Sequence, residues 1–438
     1  MLNFDEIATL SQEKTVLTEK KLDDILEKAV SGKELTLKDA AMLLNVEGDE
    51  GVSKLLNAAL KVKERVFGKR IVLFAPLYLS NECVNQCLYC AFQSGNLKEK
   101  RKTLSVDEAI KEANFLVKRG FRRTLLVTAE NKARCGVDYI VSVTKGLYEK
   151  TGLKIIHLNA APMDVDELKE IRDAGIGVFQ VFQETYHKET YEKLHVKGKK
   201  ADFGYRLTCM NRAIEAGFKD VGIGALLGLY DYKFDVLSVI SHAKFLKKEY
   251  GTYPHTISVP RFRQALGAKI SVAPFPVDDK TFKKIVAVYR LAIPTAGVVI
   301  STREPSHLRD EILLCGASQI SAESSTSPGG YTHALEEEKS SQFSLSDRRS
   351  LEEVVLAILE KGMQPSFCTA CYKKGREGER FHKLAEEGLI KDFCEKNAYN
   401  SFMEYLESLQ DSSLKNKIVE KMKQVFVMKD VLNRGSLI

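Results

Sequence analysis

The sequence has 438 residues, about three average domain lengths, although a single α/β barrel of about 250 residues would account for most of it. Its 66 basic and 59 acidic side chains leave a net charge of +7, and 44% of its residues are hydrophobic. This composition excludes a disordered chain, and the lack of an isolated basic block argues against nucleic acid as a partner. No stretch approaches the ~18 consecutive apolar residues of a membrane span, and the acidic N-terminus is unlike a signal peptide. We therefore expect a cytoplasmic globular protein that has no membrane partner.

Residues 1–69 predict a helical N-terminal segment, because apolar residues recur at helical spacing in KKLDDILEKAV, TLKDAAMLLN and GVSKLLNAALKVKERVFG. Between residues 70 and 340, short β-rich runs alternate with amphipathic helical stretches. The predicted strands are 71–77, 124–128, 155–159, 178–182, 221–226, 256–259, 298–301 and 319–322. This alternation favours an α/β fold, a (βα)8 TIM-type barrel. A doubly wound open sheet is the alternative, because periodicity does not reveal closure.

Residues 341–438 predict a helical C-terminal domain with no further strands. The polar run HALEEEKSSQFSLSDRRS lies at its start and predicts a linker or a surface crossing. The chain should therefore consist of a helical segment, a barrel and a helical domain.

Three of the nine cysteines, Cys83, Cys87 and Cys90, lie within eight residues directly after the first predicted strand. Cytoplasmic cysteines should be reduced, and three thiolates suit a 4Fe–4S cluster. The usual fourth ligand is missing, which leaves one iron open to a substrate or cofactor. A zinc site is the alternative, but structural zinc usually takes four ligands in two separated pairs. The ring of Tyr89 is placed to cover the cluster or to contact an adenine.

A second triad, Cys368, Cys371 and Cys394, lies near the end of the chain. Lysines and arginines around the first two cysteines would help to neutralise an anionic cluster or ligand. A second 4Fe–4S cluster with an open iron is one interpretation. A zinc knuckle with His382 as the fourth ligand is the other.

The Cys-x3-Cys-x2-Cys spacing, with Tyr89 before the last cysteine, resembles the signature of the radical S-adenosylmethionine (SAM) superfamily. The resemblance implies a barrel enzyme in which SAM binds the open iron through its amino and carboxylate groups. One electron then cleaves SAM to methionine and a 5′-deoxyadenosyl radical. A reductant protein such as ferredoxin or flavodoxin is the implied electron donor.

Nearly the whole chain resembles the HydG family of tyrosine lyases, in the runs CTACYKKGREGERF, FQETYHKETYEKLH, GIGALLGLYDYKF, PHTISVPR and ISTRE. The resemblance implies cleavage of the Cα–Cβ bond of tyrosine to p-cresol and dehydroglycine. Dehydroglycine would then become carbon monoxide and cyanide at the second cluster, which carries an extra iron. His255 matches the histidine that helps to hold this iron. The products would serve assembly of the [FeFe]-hydrogenase H-cluster, so hydrogenase maturation proteins are implied partners.

The resemblance also assigns roles to polar residues that follow the predicted strands. Glu130, Glu184 and Arg206 are expected to contact SAM. Arg303 and Ser321 are expected near the carboxylate of tyrosine, because a guanidinium group binds a carboxylate with two hydrogen bonds and a hydroxyl adds another. Ser321 as a packing residue of the barrel interior is the alternative.

Three other functions stay open from the sequence. A 2-iminoacetate synthase of thiamine biosynthesis would share the barrel without the terminal cysteine triad. A non-catalytic iron–sulfur scaffold would need no cavity inside a barrel. A family member acting on another amino acid is the third, since Glu323 and Ser325 depart from the family pattern at the predicted rim of the pocket.

Overall fold

The computed structural model describes residues 2–14, 17–333, 341–410 and 412–426. Part of the predicted linker, 334–340, lies outside the described residues. The domain boundaries at residues 69 and 340 stay predictions. No helix within the described ranges is both long enough and apolar enough to cross a membrane.

Eight parallel strands form a closed barrel, because β1 pairs with β2 on one side and with β8 on the other. The strands are β1 (Arg70–Ser80), β2 (Arg123–Thr128), β3 (Ile155–Asn159), β4 (Ile176–Gln180), β5 (Asp220–Gly224), β6 (Thr256–Ser258), β7 (Gly297–Ile300) and β8 (Gln319–Ser321). Each strand overlaps one predicted strand, and the closure confirms the barrel over the open sheet.

The helices between the strands cover the outside of the barrel, where their apolar faces join one large core. They are α5 (Val106–Lys118), α6 (Lys132–Cys135), α7 (Val137–Lys150), α8 (Val165–Asp173), α9 (Lys188–Leu194), α10 (Phe203–Leu207), α11 (Cys209–Glu215), α12 (Tyr232–Tyr250), α13 (Asp279–Ala292) and α14 (Ser306–Ile312). Side chains cap several of them: Ser105 accepts from the N–H of Glu108, and Asp278 from that of Thr281.

The N-terminal segment is helical, as predicted, and α4 packs against α13 of the barrel. Its helices are α1 (Phe4–Gln12), α2 (Glu19–Val30), α3 (Leu37–Leu44) and α4 (Asp49–Phe67). Side chains of α4 such as Leu55 and Val62 are fully buried in the common core.

The C-terminal region is mostly helical but adds a ninth strand, so the prediction of no further strands was wrong. Its elements are α15 (Leu351–Glu360), β9 (Gln364–Ser366), α16 (Ala370–Lys373), α17 (Gly378–Glu386), α18 (Leu389–Ser408) and α19 (Ser413–Val425). Strand β1 pairs with β2 only from Ala75 onward, so its first residues have free backbone groups. Strand β9 pairs with them in parallel, from Arg70 to Val72, and places Cys368 at the amino end of the barrel.

Candidate functional site

A cavity of about 230 Å³ lies inside the barrel and reaches the carboxyl ends of its strands. Its lining contains all nine residues predicted for the cluster, SAM and the substrate: Cys83, Cys87, Cys90, Tyr89, Glu130, Glu184, Arg206, Arg303 and Ser321. The structure therefore brings together side chains that are up to 238 positions apart in the sequence. This end of a barrel is where enzymes of this fold carry their active sites.

The loop that follows β1 holds the three cysteines and is fixed by buried polar contacts. Asn81 donates from Nδ2 to Glu99 Oε1 at 2.8 Å and accepts on Oδ1 from the N–H of Lys102 at 2.6 Å. Arg101 donates to the carbonyls of Asn81 at 2.8 Å and Phe92 at 2.7 Å. These contacts supply hydrogen-bond partners for the backbone groups of a loop that has no regular secondary structure, and they fix the positions of its cysteines.

The three thiols fit a cluster better than a single ion. Burial raises the pKa of Cys87 to about 12 and that of Cys90 to about 11, so these thiolates need the positive charge of bound iron. Among the described residues, no three His, Cys, Asp or Glu side chains converge on one point as ligands of a single ion would. The ligands of a cubane cluster bind separate irons, so they need not converge in this way.

Tyr89 is buried beside the cysteines and its hydroxyl lies 2.9 Å from His195 Nε2. His195 Nδ1 lies 2.7 Å from the carbonyl of Tyr191, so Nδ1 carries the proton and Nε2 accepts from Tyr89. Burial lowers the pKa of His195 to about 3, which keeps the imidazole neutral. The ring of Tyr89 is therefore locked at the cavity wall.

Glu184 lies at the centre of a buried charge network. Its Oε1 is 2.6 Å from Lys200 Nζ and 3.5 Å from Arg206 Nη2. Burial acts to raise the pKa of Glu184, but the charges of Lys200 and Arg206 outweigh burial and hold it below its ordinary value. The backbone of Glu184 has φ +71°, a left-handed conformation that non-glycine residues adopt mainly where the surrounding structure requires it.

The loop around Glu184 is fixed from helix α12 by Asp235. Its Oδ1 accepts from Thr185 Oγ1 at 3.0 Å and from the N–H of Tyr186 at 2.8 Å. Asp235 is fully buried, and burial raises its pKa to about 7. The position of Glu184 therefore depends on a buried carboxyl group that titrates near neutral pH.

Glu130, after β2, connects that strand to the cysteine loop. Its Oε2 accepts from Asn85 Nδ2 at 2.7 Å, and its carbonyl accepts from the N–H of Val84 at 2.9 Å. Glu130 faces the same cavity as Glu184. Two carboxylates therefore lie at the cavity wall near the cysteines.

Arg303 is half-buried and lines the cavity. Its Cζ lies 3.3 Å from the centre of the Phe343 ring, which stacks against one face. No carboxylate of the described residues lies within ion-pair distance of Arg303, whereas nearby Arg263 is paired with Glu304 at 3.0 Å. Ser321 accepts on Oγ from the N–H of Thr302 at 3.2 Å, which leaves its hydroxyl hydrogen free to donate into the cavity.

A second cavity of about 40 Å³ lies at the amino end of the barrel. Cys368, Cys371, Cys394 and His255 all line it, so the second predicted set of ligands is also brought together. His255 Nδ1 is 3.5 Å from Asp220 Oδ1. A carboxylate behind the ring of a histidine is a common arrangement where that histidine binds a metal.

The environment of Cys371 favours a thiolate. A hydrogen bond from Cys394 and the positive charges of Arg70 and Arg376 hold the pKa of Cys371 well below its ordinary value. His382 does not line this cavity; its Nδ1 lies 2.8 Å from Thr295 Oγ1. The predicted zinc knuckle with His382 as a ligand is therefore wrong.

Several residues of the site gave no usable signal in the sequence. Lys200 lies in the basic run KGKK, which reads as a solvated surface, yet it is the main partner of Glu184. His195 and Arg101 likewise have no motif around them. In contrast, Glu323 was expected at the pocket rim but is paired with Arg119 at 2.9 Å and does not line the cavity, and neither does Ser325.

Comparisons with known proteins agree with this geometry. Residues 77–241 match the radical SAM superfamily, and residues 258–364 match the Biotin and Thiamin Synthesis associated domain. The chain is 34% identical to 2-iminoacetate synthase of Escherichia coli (strain K12) over 78% of this chain and 89% of that protein. A crystal structure of HydG, a maturase of the [FeFe]-hydrogenase, superposes with a TM-score of 0.91 and 39% identity, covering 100% of this chain and 99% of the other. HydG from Carboxydothermus hydrogenoformans superposes with a TM-score of 0.84 and 40% identity, covering 99% of this chain and 97% of the other.

The barrel is closed and parallel, its cysteine loop follows the first strand, and residues 77–241 match the superfamily. Together these features define a radical SAM enzyme. Such an enzyme uses a 4Fe–4S cluster together with SAM, and Cys83, Cys87 and Cys90 are the residues that fit the cluster. The coverage and identity of its relatives then narrow the class. The chain belongs to the family of radical SAM enzymes that contains HydG and 2-iminoacetate synthase.

Proposed function

We propose that this protein is a tyrosine lyase that cleaves the Cα–Cβ bond of tyrosine to p-cresol and dehydroglycine. The observation that carries the proposal is the unpaired guanidinium group of Arg303 in the same cavity as the three cysteines. When bound, the cluster and SAM supply a 5′-deoxyadenosyl radical for this reaction. The protein residues bind and orient the two ligands.

Arg303 and Ser321 are the proposed anchors of the amino-acid carboxylate. The guanidinium group offers a planar pair of donors, and stacking on Phe343 fixes its plane. The Ser321 hydroxyl adds a donor from the neighbouring strand end. The cavity lining also contains the aromatic rings of Phe92 and Phe343, which suit the phenol ring of tyrosine.

Glu130, Glu184 and Arg206 are the proposed contacts to SAM, with Tyr89 at the cavity wall. The carboxylates can accept from the ribose hydroxyls or the ammonium group, and Arg206 can donate to the SAM carboxylate. Lys200 and Arg206 keep Glu184 ionised, which favours its role as an acceptor. The reductant would be a protein such as ferredoxin or flavodoxin.

We further propose that dehydroglycine is converted to carbon monoxide and cyanide at a second 4Fe–4S cluster. The proposed protein ligands are Cys368, Cys371 and Cys394, with His255 holding an extra iron. The nearby positive charges of Arg70 and Arg376 suit an anionic cluster. The products would be delivered to hydrogenase maturation proteins for H-cluster assembly, in a cytoplasm that keeps these thiols reduced.

The barrel interior supports a passage between the two cavities, because Arg123 and Gln319 line both of them. Most barrels of this type are filled by branched aliphatic side chains, whereas this one has polar residues and glycines on the way. An intermediate of two carbons is small enough for such a route.

The test of the lyase step is anaerobic reconstitution with iron and sulfide, followed by SAM, dithionite and tyrosine. We expect p-cresol and 5′-deoxyadenosine from the wild type. Arg303→Gln should keep uncoupled SAM cleavage and lose most p-cresol, while Arg263→Gln, whose partner is Glu304, should keep more of it. SAM cleavage without p-cresol in the wild type would contradict tyrosine as the substrate.

A 2-iminoacetate synthase is the second candidate, favoured by the 34% identity to the Escherichia coli enzyme. It predicts p-cresol without carbon monoxide. The cavity lined by Cys368, Cys371 and Cys394 favours the lyase that also forms carbon monoxide and cyanide, because a 2-iminoacetate synthase needs no second cluster at these residues.

A further inference from the structure

The cysteine loop and two neighbouring segments share one surface. The three segments are 84–100, which contains Cys87 and Cys90, 193–200 and 262–275. Backbone hydrogen bonds join them into one face: the N–H of Leu88 donates to the carbonyl of Leu194 at 3.0 Å, and the carbonyl of Leu88 accepts from the N–H groups of Lys269 and Ile270 at 2.8 and 2.9 Å. The three segments are therefore one continuous surface, which we name the loop face.

The loop face carries most of the large, exposed apolar side chains of the part of the chain that the structure describes. Nine large apolar residues are exposed among the described residues, and six of them lie in these segments. They are Val84, Leu97, Val196, Leu266, Val272 and Phe275. Leu97 is 97% exposed and Val272 is 73% exposed. A concentration of exposed apolar groups on one face marks an interaction surface.

The charge of the loop face has a single sign. Five exposed lysines lie in the same three segments: Lys98, Lys193, Lys197, Lys199 and Lys269. None of these five has a carboxylate within ion-pair distance among the described residues. The only carboxylate that the three segments contain is Glu99, which is buried and accepts from Asn81. A face that combines exposed apolar side chains with unpaired lysines fits an acidic protein partner.

We infer that the loop face is the docking site of an acidic one-electron carrier protein. The inference deepens the proposed function, on which it rests, by assigning the reductant a surface. One electron passes from the carrier, which is oxidised by one electron, to the cluster, which is reduced by one. Redox encounters of this kind bury little area and depend on charge for their speed, and the lysines of the loop face supply that charge.

The loop face also provides a short route for that electron. Leu88 directly follows Cys87, and its carbonyl is hydrogen-bonded to the N–H of the exposed Lys269. Cys87 is itself bridged to His195, in the segment that carries Val196 and Lys197. A carrier seated on this face is therefore one hydrogen bond and one residue away from a cysteine ligand.

The test compares two electron donors for the reconstituted full-length enzyme. Initial rates of 5′-deoxyadenosine formation are measured with dithionite and with a purified acidic flavodoxin kept reduced by its reductase. For Lys197→Glu, Lys199→Glu, Lys269→Glu, we expect kcat/KM for flavodoxin to fall at least tenfold while the dithionite rate stays within twofold. The matched control reverses three exposed lysines of the N-terminal segment, Lys20→Glu, Lys33→Glu, Lys61→Glu, and should change neither rate by more than about twofold.

A salt titration of the wild type gives a second readout that does not depend on any variant. Between 50 and 500 mM NaCl (about a threefold change in screening length), the flavodoxin-driven rate should fall steeply and the dithionite rate should not. Equal flavodoxin rates in the two triple variants, or no salt dependence, would overturn the docking site. So would a changed oligomeric state of the loop-face variant with an unchanged flavodoxin rate, because the face would then join two copies of this chain. Failure of dithionite to cleave SAM in the wild type would instead contradict the proposed function.

Discussion

The charge network at Glu184 gives a sharp prediction for Glu184→Gln. The substitution keeps the shape of the side chain but leaves Lys200 and Arg206 as two buried cations without a counter-charge. Both partners of the closer pair are 14% exposed, so solvent screens them little. Breaking a buried pair by removing one charge costs about 3–5 kcal/mol. We expect Glu184→Gln to lose stability in that range, and to raise the KM for SAM about tenfold or more through the loss of one charged hydrogen bond.

A double-mutant cycle with Lys200→Met tests the physical reason. Removing both charges should cost less than the sum of the single substitutions by about 2 kcal/mol, because the first change has already removed the interaction. Urea unfolding of the four proteins supplies the free energies, with SAM turnover measured in parallel. Glu192→Gln, an exposed carboxylate 3.8 Å from Lys188, is the matched control and should cost less than about 0.5 kcal/mol. Additive single costs, or a Glu184→Gln cost no larger than that of the control, would refute the reasoning.

Two further predictions concern the passage and the support of the Glu184 loop. Gly297→Ala should lower the ratio of carbon monoxide to p-cresol, because the new Cβ would lie 2.3 Å from Gln319 Nε2 at the junction of the cavities. Adding Gln319→Ala to the Gly297→Ala protein should restore the ratio. A ratio that Gly297→Ala leaves unchanged would contradict the passage. Asp235→Asn should stabilise the protein more at pH 8 than at pH 5. The folded pKa of Asp235, about 7, is above the unfolded value of 3.8, so its carboxyl favours the folded state at low pH and loses that benefit as the pH rises through 7. The expected gain between the two pH values is about 3 kcal/mol, from thermal or urea unfolding, and a difference that does not change with pH would contradict it.

The barrel was predictable from the sequence because its strands are short, buried runs between amphipathic helices with clear caps. Strand β3, Ile155–Asn159, begins and ends where the pattern predicts. Strand β9 was missed because Gln364–Ser366 has three residues, one of them a proline, which is too few to show a strand period. Only the free edge at the start of β1 makes these residues a strand, and that edge is a tertiary feature.

The candidate site also contains residues that the sequence predicts and residues that it does not. Cys83, Cys87 and Cys90 could be found from their spacing, and Arg303 from its place after a strand. Lys200 could not, since its role comes from Glu184, which is 16 positions away and faces it only in the folded chain. A local sequence pattern identifies functional residues that are close together in the sequence, such as the three cysteines. The partners in a buried charge network are brought together only when the barrel closes, so the sequence pattern does not reveal them.

In the proposed function, one barrel holds two reaction sites, one at each end. Its most direct test is the product distribution of the wild type and of Cys368→Ala, Cys371→Ala, both reconstituted and supplied with SAM, dithionite and tyrosine. We expect p-cresol from both proteins, and carbon monoxide and cyanide from the wild type alone. Carbon monoxide at the wild-type level from the variant, or p-cresol without carbon monoxide from the wild type, would contradict it.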